Sequence, residues 1–135
     1  MERTYIMLKP DCVERGLVGE IISRIERKGF KIANIKMLHL DEAILREHYA
    51  HIVDIPVFPQ IIEFMTSGPC IGMIVEGEGA IAGMRKLMGP TKYEDSLPGT
   101  IRGDFATSTQ HNLIHGSDSP ENAEIEIKRF FGPDA

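Results

Sequence analysis

Cys70-Ile71-Gly72-Met73-Ile74-Val75 is a compact apolar run, entered through Ser67-Gly68-Pro69 and left at Gly77. A short apolar run between turn signals reads as a strand buried on both sides, and here as the third, central strand. Towards the N-terminus, Lys31 to Leu40 is rich in Ile, Met and Leu with rough alternation, a second strand. Before it, Leu17, Val18, Ile21, Ile22 and Ile25 repeat with helical spacing and Gly29 supplies the stop. Thr4 to Lys9 is a first strand, ended by Pro10. Between the second and third strands, Asp41 to Met65 reads as two helical pieces broken by Pro56 and Pro59. Towards the C-terminus, Ala80, Ile81, Met84, Leu87 and Met88 form a helical stripe, and Ser119 caps a last helix with Pro120 at its first position. The order β-α-β-α-β-α-loop-β-α predicts an α+β protein, a ferredoxin-like split βαβ sandwich with a four-stranded antiparallel sheet and helices packed on it.

A chain of 135 residues fits one domain, 1–135. Its 42% hydrophobic and 26% charged residues are ordinary for a soluble globular protein. Neither a signal peptide nor an apolar run of membrane-spanning length is present in it. Cys12 and Cys70, far apart and outside any CxxC pattern, read as reduced thiols of a cytoplasmic protein. A net charge of −5 argues against sequence-independent nucleic-acid binding, although a few converging cations can still hold a polyanion.

The chemistry concentrates after Gly89. A stretch of over twenty residues runs from there to His111 with little regular signal, and loops of that length in compact domains are functional or disordered. Within it, Pro98-Gly99-Thr100-Ile101-Arg102-Gly103-Asp104-Phe105 has too little apolar periodicity for a helix and too many glycines for a long strand. It leads to Asn112-Leu113-Ile114-His115-Gly116-Ser117-Asp118-Ser119, which sets one histidine at the end of a short apolar run beside an arginine-bearing loop. A lone histidine is more often structural than reactive, so its neighbours decide. In the last helix Ala123, Ile127, Phe130 and Phe131 make the buried stripe, Glu124 and Lys128 point away, and Glu126 sits on the shoulder. His115 and Glu126 each lie roughly 10 Å from the turn at Asp118-Ser119, so their side chains meet if strand folds under helix. A carboxylate on one ring nitrogen fixes the tautomer and frees the lone pair of the other. In the 80–88 helix Lys86 faces solvent and Arg85 flanks the stripe.

Other chemistries find no support. There is no GxxxxGK[ST] loop and no GxSxG elbow. Gly77-Glu78-Gly79-Ala80-Ile81-Ala82-Gly83 is one residue too long for a dinucleotide fingerprint and reads as a strand-to-helix turn. His111 and His115 have helical metal-ligand spacing on a segment that reads as extended.

These residues strongly resemble a nucleoside diphosphate kinase over nearly the whole chain. The matching segments are Tyr5 to Asp11 with its Lys9-Pro10-Asp11, Arg15 to Ile22, His48-Tyr49, Ser67-Gly68-Pro69, and most specifically the 98–105 and 112–119 blocks. The resemblance implies that His115 takes the terminal phosphate of a nucleoside triphosphate and hands it to a nucleoside diphosphate in a ping-pong cycle. Arg85, Thr91 and Arg102 would hold phosphate oxygens, while Lys9 and Asn112 would contact the sugar hydroxyl region, Lys9 also reaching the transferring phosphate. Tyr49 would sit near the nucleophile, and Glu126, supported by Ser117, on its other nitrogen. Mg²⁺ would bridge the nucleotide's phosphates with no protein ligand nominated. The implied partners are nucleoside tri- and diphosphates and further copies of the chain, a hexamer before a tetramer.

The chemistry is physically reasonable. Phosphoryl transfer needs positioning and charge neutralisation, and each cation about 4 Å from a phosphate oxygen contributes on the order of 4 kcal/mol at an effective dielectric of 20. Three departures from the family pattern stand out. Val57 stands where an aromatic residue usually stacks on the base, it and Phe58 after it would form the base side of the substrate site, and Thr109 stands on the base's other side where valine is frequent. Tyr93 occupies a position in the long loop where proline is frequent, which bears on assembly. Two rival readings are a nucleotide-binding regulatory module that has lost catalysis and a small ferredoxin-like ligand sensor. The first should lack the histidine or its supports, and the second leaves the arginine loop unexplained.

Overall fold

The computed structural model describes all 135 residues. Four strands, β1 (Glu2–Leu8), β2 (Lys31–Leu38), β3 (Cys70–Gly77) and β4 (Ile114–Gly116), form one sheet in the order β2-β3-β1-β4, every neighbouring pair antiparallel. β1 and β2 therefore run the same way with β3 between them, which is the split βαβ arrangement. β3 is central and buried along almost its whole length.

Seven helices cover the sheet: α1 (Pro10–Glu14), α2 (Val18–Lys28), α3 (Glu42–His48), α4 (Phe58–Met65), α5 (Ala80–Met88), α6 (Ile101–Phe105) and α7 (Pro120–Phe131). Strand side chains alternate between faces, so one strand feeds two cores. Ile6 and Leu8 of β1 and Ile71, Met73 and Val75 of β3 pack with Ile21 and Ile25 of α2, Met84 and Met88 of α5, and Ile101 of α6. On the other face Tyr5, Met7, Cys70 and Ile74 pack with Leu45 of α3, Met65 of α4, and Ile127 and Phe130 of α7. Each fully buried aliphatic side chain contributes about 1.5–3 kcal/mol. His115 pairs in register with Met7, so it belongs to the face covered by α3, α4 and α7.

Close approaches explain several glycines. A Cβ on Gly77 or on Gly83 would come within 2.5 Å of the Phe30 ring, which is wedged between the two. Gly79 starts α5 in the left-handed region at φ 62°, the turn expected there.

Three readings change. Pro10 ends β1 but also opens α1, where a missing N–H costs nothing. Pro59 does not break a helix; it lies in the first turn of α4. The 98–105 stretch, expected to be neither helix nor strand, contains α6: Thr100 Oγ1 accepts from Gly103 N at 2.9 Å and caps it. Gly103 is required because a Cβ there would meet the Leu97 carbonyl oxygen at 1.9 Å. Five residues held by a cap and a backbone approach leave no periodic pattern to read.

Candidate active site

β4 is only three residues long, and the backbone before it is forced. Leu113 has φ 75°, left-handed for a fully buried leucine, and Ile114 N donates to Asn112 O at 2.9 Å, closing a γ-turn. Such conformations persist only where the surroundings over-determine them, and they cluster at functional sites. Here Lys9 N donates to Leu113 O at 2.8 Å, and Ser117 N to Tyr5 O at 3.1 Å, so β1 clamps both ends of the short strand.

His115, on that strand, is about one quarter exposed, and its Nε2 lies 2.9 Å from Glu126 Oε1. Ser117 Oγ donates to the same oxygen at 2.6 Å. Burial alone would raise the Glu126 carboxyl, but the bonds from His115 and Ser117 outweigh it and the pKa is lowered. An ionised carboxylate on Nε2 puts the ring's hydrogen there and leaves Nδ1 with a lone pair. The helix delivering Glu126 is well anchored: Ser119 Oγ accepts from Asn122 N at 3.1 Å, with Pro120 opening α7. Glu124 points away from the buried stripe, as expected, and takes two bonds from Arg3, at 2.8 and 2.7 Å, which tie α7 to β1.

A cavity of about 230 Å³ opens over the imidazole, and His48, Tyr49, Arg85, His115, Asp118 and Glu126 line it among others. Arg85 Nη1 donates to Gly116 O at 3.2 Å, which holds the guanidinium beside the histidine. A second cavity of about 350 Å³ is lined by Lys9, Tyr49, Val57, Thr91, Thr109 and Asn112, together with Ile61, Phe64, Met65 and Gln110. Tyr49 lines both. One space is polar and holds the histidine; the other has an apolar wall from α4 facing the loop at 109–112.

Lys9 Nζ donates to Asn112 Oδ1 at 2.7 Å. Burial, reinforced by Arg102, pushes the ammonium down to about 8. Arg102 is almost fully buried, its Nη1 donating to Gly89 O at 3.0 Å and its Nη2 to Ile114 O at 2.5 Å. Burial and Arg85 push it down to about 10, and its Nε has no partner. A guanidinium without a carboxylate partner, bonded only to carbonyls, keeps its charge for another anion. Two arginines and a lysine thus converge on one end of the sheet in an acidic protein.

Like Arg102, Phe58 stands apart from the expected nucleotide contacts that line the two cavities. It is buried at 2% exposure beneath the Arg46 guanidinium, 5.6 Å from its ring centre, and it lines neither cavity. The helical start at Phe58 turns this ring inward while Val57, 38% exposed, faces the cavity. His48 and Arg129, in contrast, were not anticipated. Arg129 Nη1 lies 2.8 Å from His48 Nδ1, and the His48 ring meets that of His115 edge to face at 5.0 Å. Their separation of 81 residues left no local signal.

His48, His115 and Glu126 place nitrogen and oxygen atoms within 4.8 Å of one another. Two imidazoles and a carboxylate already accepting two bonds are not a donor set for Mg²⁺, which requires oxygen ligands in octahedral array.

The family model described as "Nucleoside diphosphate kinase" matches residues 2–135. A nucleoside diphosphate kinase of Thermus thermophilus is 52% identical over 134 residues, 99% of this chain and 98% of the relative. Among solved structures, a nucleoside diphosphate kinase of Encephalitozoon cuniculi superposes with a TM-score of 0.96 at 45% identity, covering 99% of this chain and 91% of the other. One from Halobacterium salinarum, in complex with CDP, gives 0.94 at 47% identity, covering 98% and 89%. Sequence and fold agree: the chain belongs to the nucleoside diphosphate kinase family.

Proposed function

We propose that this protein transfers the terminal phosphate of a nucleoside triphosphate to a nucleoside diphosphate through a phosphorylated His115. The observation that carries the reading is the His115–Glu126–Ser117 chain, which leaves Nδ1 as the one nucleophilic nitrogen beside Arg85. In the first half-reaction the Nδ1 lone pair attacks the γ-phosphorus. The bond from phosphorus to the bridging oxygen breaks, and the diphosphate leaves with that electron pair. The ring's positive charge is balanced through Nε2–H by Glu126. In the second half-reaction a terminal oxygen of another nucleoside diphosphate attacks the phosphorus, and the N–P bond returns its electrons to Nδ1.

Arg85, Arg102 and Thr91 are assigned to the phosphate oxygens, and Lys9 and Asn112 to the sugar hydroxyl region and the transferring group. Tyr49, shared by both cavities, marks the junction between polyphosphate and nucleoside. Val57 and Thr109 are the base contacts on facing walls, and van der Waals contact with the faces of the base suits broad base specificity. Phosphoryl transfer asks mainly for positioning and charge neutralisation, which these residues supply.

Magnesium would be held chiefly by the nucleotide's own phosphates rather than by side chains of this chain, and would supply charge neutralisation there. The reading includes a cytoplasmic location, consistent with two buried free cysteines and with the absence of any helix long and apolar enough to cross a membrane. It also includes a homo-oligomer, a hexamer before a tetramer. The outer strand β2 leaves Ile35 and Met37 44% and 58% exposed on an unpaired edge, which calls for cover. Light scattering coupled to gel filtration measures the assembly; a monomer at micromolar concentration rejects that part.

The central test is labelling with γ-phosphate-labelled ATP. The expected product is an acid-labile, alkali-stable phosphohistidine that chases onto added nucleoside diphosphate. Retention of label in His115→Asn overturns the assignment.

A further inference from the structure

We propose that His48 is a positioning residue for this transfer: Arg129 holds it as an uncharged ring, and that keeps Glu126 committed to His115. The inference rests on His115 being the nucleophile.

His48 ends α3 and is only 8% exposed. A guanidinium carries donors and no acceptor, so Arg129 Nη1 at 2.8 Å obliges His48 Nδ1 to offer its lone pair. The ring's hydrogen is then on Nε2, a tautomer assigned by the partner. A second proton on Nδ1 would face an N–H and break the bond. Burial and the surrounding charges act in the same direction. Burial, then His115, Arg129 and Lys9, push His48 down to about 3 against the pull of Glu126.

Glu126 is the group at stake. It lies on the same helix as Arg129, three residues earlier, and one of its oxygens already serves His115 and Ser117. The ligating atoms of His48, His115 and Glu126 are all within 4.8 Å, so a charged His48 would need little rotation to compete for that carboxylate. His115 Nε2 would lose its acceptor, and the tautomer that exposes Nδ1 would no longer be fixed. The titratable and charged groups facing His48 are Arg129 and Glu126 from α7, His115 from β4, Lys9 beyond β1 and Tyr49 next to it, with the Phe130 ring closing the apolar side. Glu47 reaches Arg129 Nε only at 3.9 Å from an exposed position, so it does not draw the guanidinium off His48.

The experiment has a spectroscopic and a kinetic arm. In ¹⁵N-labelled full-length protein, long-range imidazole correlations should show His48 neutral with hydrogen on Nε2 from about pH 5 to about pH 8, the range in which an ordinary histidine titrates. Protonation within that range, or an Nδ1–H tautomer, overturns the proposal. This arm needs no turnover, so it reads the clamp even if the kinase reading fails; loss of phosphoenzyme with an intact His48 signal faults the kinase reading instead. In the kinetic arm, Arg129→Met should move the acid limb of kcat upward by about one pH unit, the effect of removing one neighbouring charge. The double variant His48→Phe/Arg129→Met should return the limb to its original position. An unmoved limb in Arg129→Met, or one that His48→Phe fails to restore, overturns the proposal. If Arg129→Met does not fold, the spectroscopic arm decides.

Discussion

Ser117 donates its hydroxyl, at 2.6 Å, to the one oxygen of Glu126 that also serves His115. The carboxylate is therefore held between two donors, and its second oxygen is not what fixes the imidazole. Glu126→Gln should lower kcat about 100-fold with little change in KM, because a neutral amide does not balance an imidazolium-like ring. Ser117→Ala, which keeps the charge and loses one charge-assisted bond worth about 1.5–3 kcal/mol, should cost about tenfold or more. A coupled nucleotide-exchange assay reads both; equal activity of wild type and Glu126→Gln removes the carboxylate from the reaction.

The same carboxylate sets a stability trend. Its folded pKa is depressed, so its contribution is present above the unfolded carboxyl pKa and is lost as pH falls through the folded value. Thermal melting of wild type should therefore decline more steeply than that of Glu126→Gln as pH falls below about 4.3, the ordinary glutamate value. Parallel declines would mean that Glu126 gains nothing on folding.

Lys9 predicts an alkaline limit. Burial and Arg102 bring the ammonium to about 8, so its charge is lost as pH rises through that value rather than above 10. Nucleotide KM should rise above about pH 8, and Lys9→Gln should start from a higher KM with a flatter dependence over the same range. Isothermal titration gives an independent reading: a phosphate that favours charged Lys9 should draw protons from buffer on binding near pH 8. A wild-type KM that stays flat to pH 9.5 excludes the charged amine from binding.

Val57 occupies the cavity wall on which a base would lie. Val57→Phe should lower nucleotide KM by about fivefold, the equivalent of about 1 kcal/mol from one ring contact. An unchanged KM shows that the base does not touch this position. Phe58→Leu, by contrast, should act on melting temperature and leave KM alone, because that ring is buried away from both cavities.

Gly83→Ala offers a packing test outside the site. Alanine normally favours a helix interior by about 1 kcal/mol over glycine, yet here its Cβ would meet Phe30 at 2.5 Å. The steric effect should win, lowering stability by about 1–3 kcal/mol, and Phe30→Leu should relieve part of it. A more stable Gly83→Ala would mean that Phe30 moves aside freely.

What could be read from the chain alone follows from where each signal resides. β3 was legible because an apolar run between Pro69 and Gly77 is a local pattern, and α7 because Ser119-Pro120 is a local cap. Glu126 was found because seven residues of helix place it at a fixed distance from the turn. α6 was not legible: a cap at Thr100 and a backbone approach at Gly103 leave no periodic trace. Arg102 was expected at phosphate oxygens, but its anchoring to Gly89 and Ile114 depends on a fold-back that no spacing reveals. Val57 and Phe58 are adjacent at a helix start and point in different directions, so only the geometry decides which of the two faces the cavity.

β4 has a single partner, β1, and the strained turn at Leu113 is held open by the amide of Lys9. The residues that meet there are over a hundred positions apart, 103 for Lys9 and Asn112 and 112 for Ser117 and Tyr5. A nascent chain emerging from the ribosome thus carries the first strand long before the reactive ring has anything to rest on. Competence arrives only when β1 and β4 have closed on each other, so fragments lacking either strand should be inert even where they retain helices.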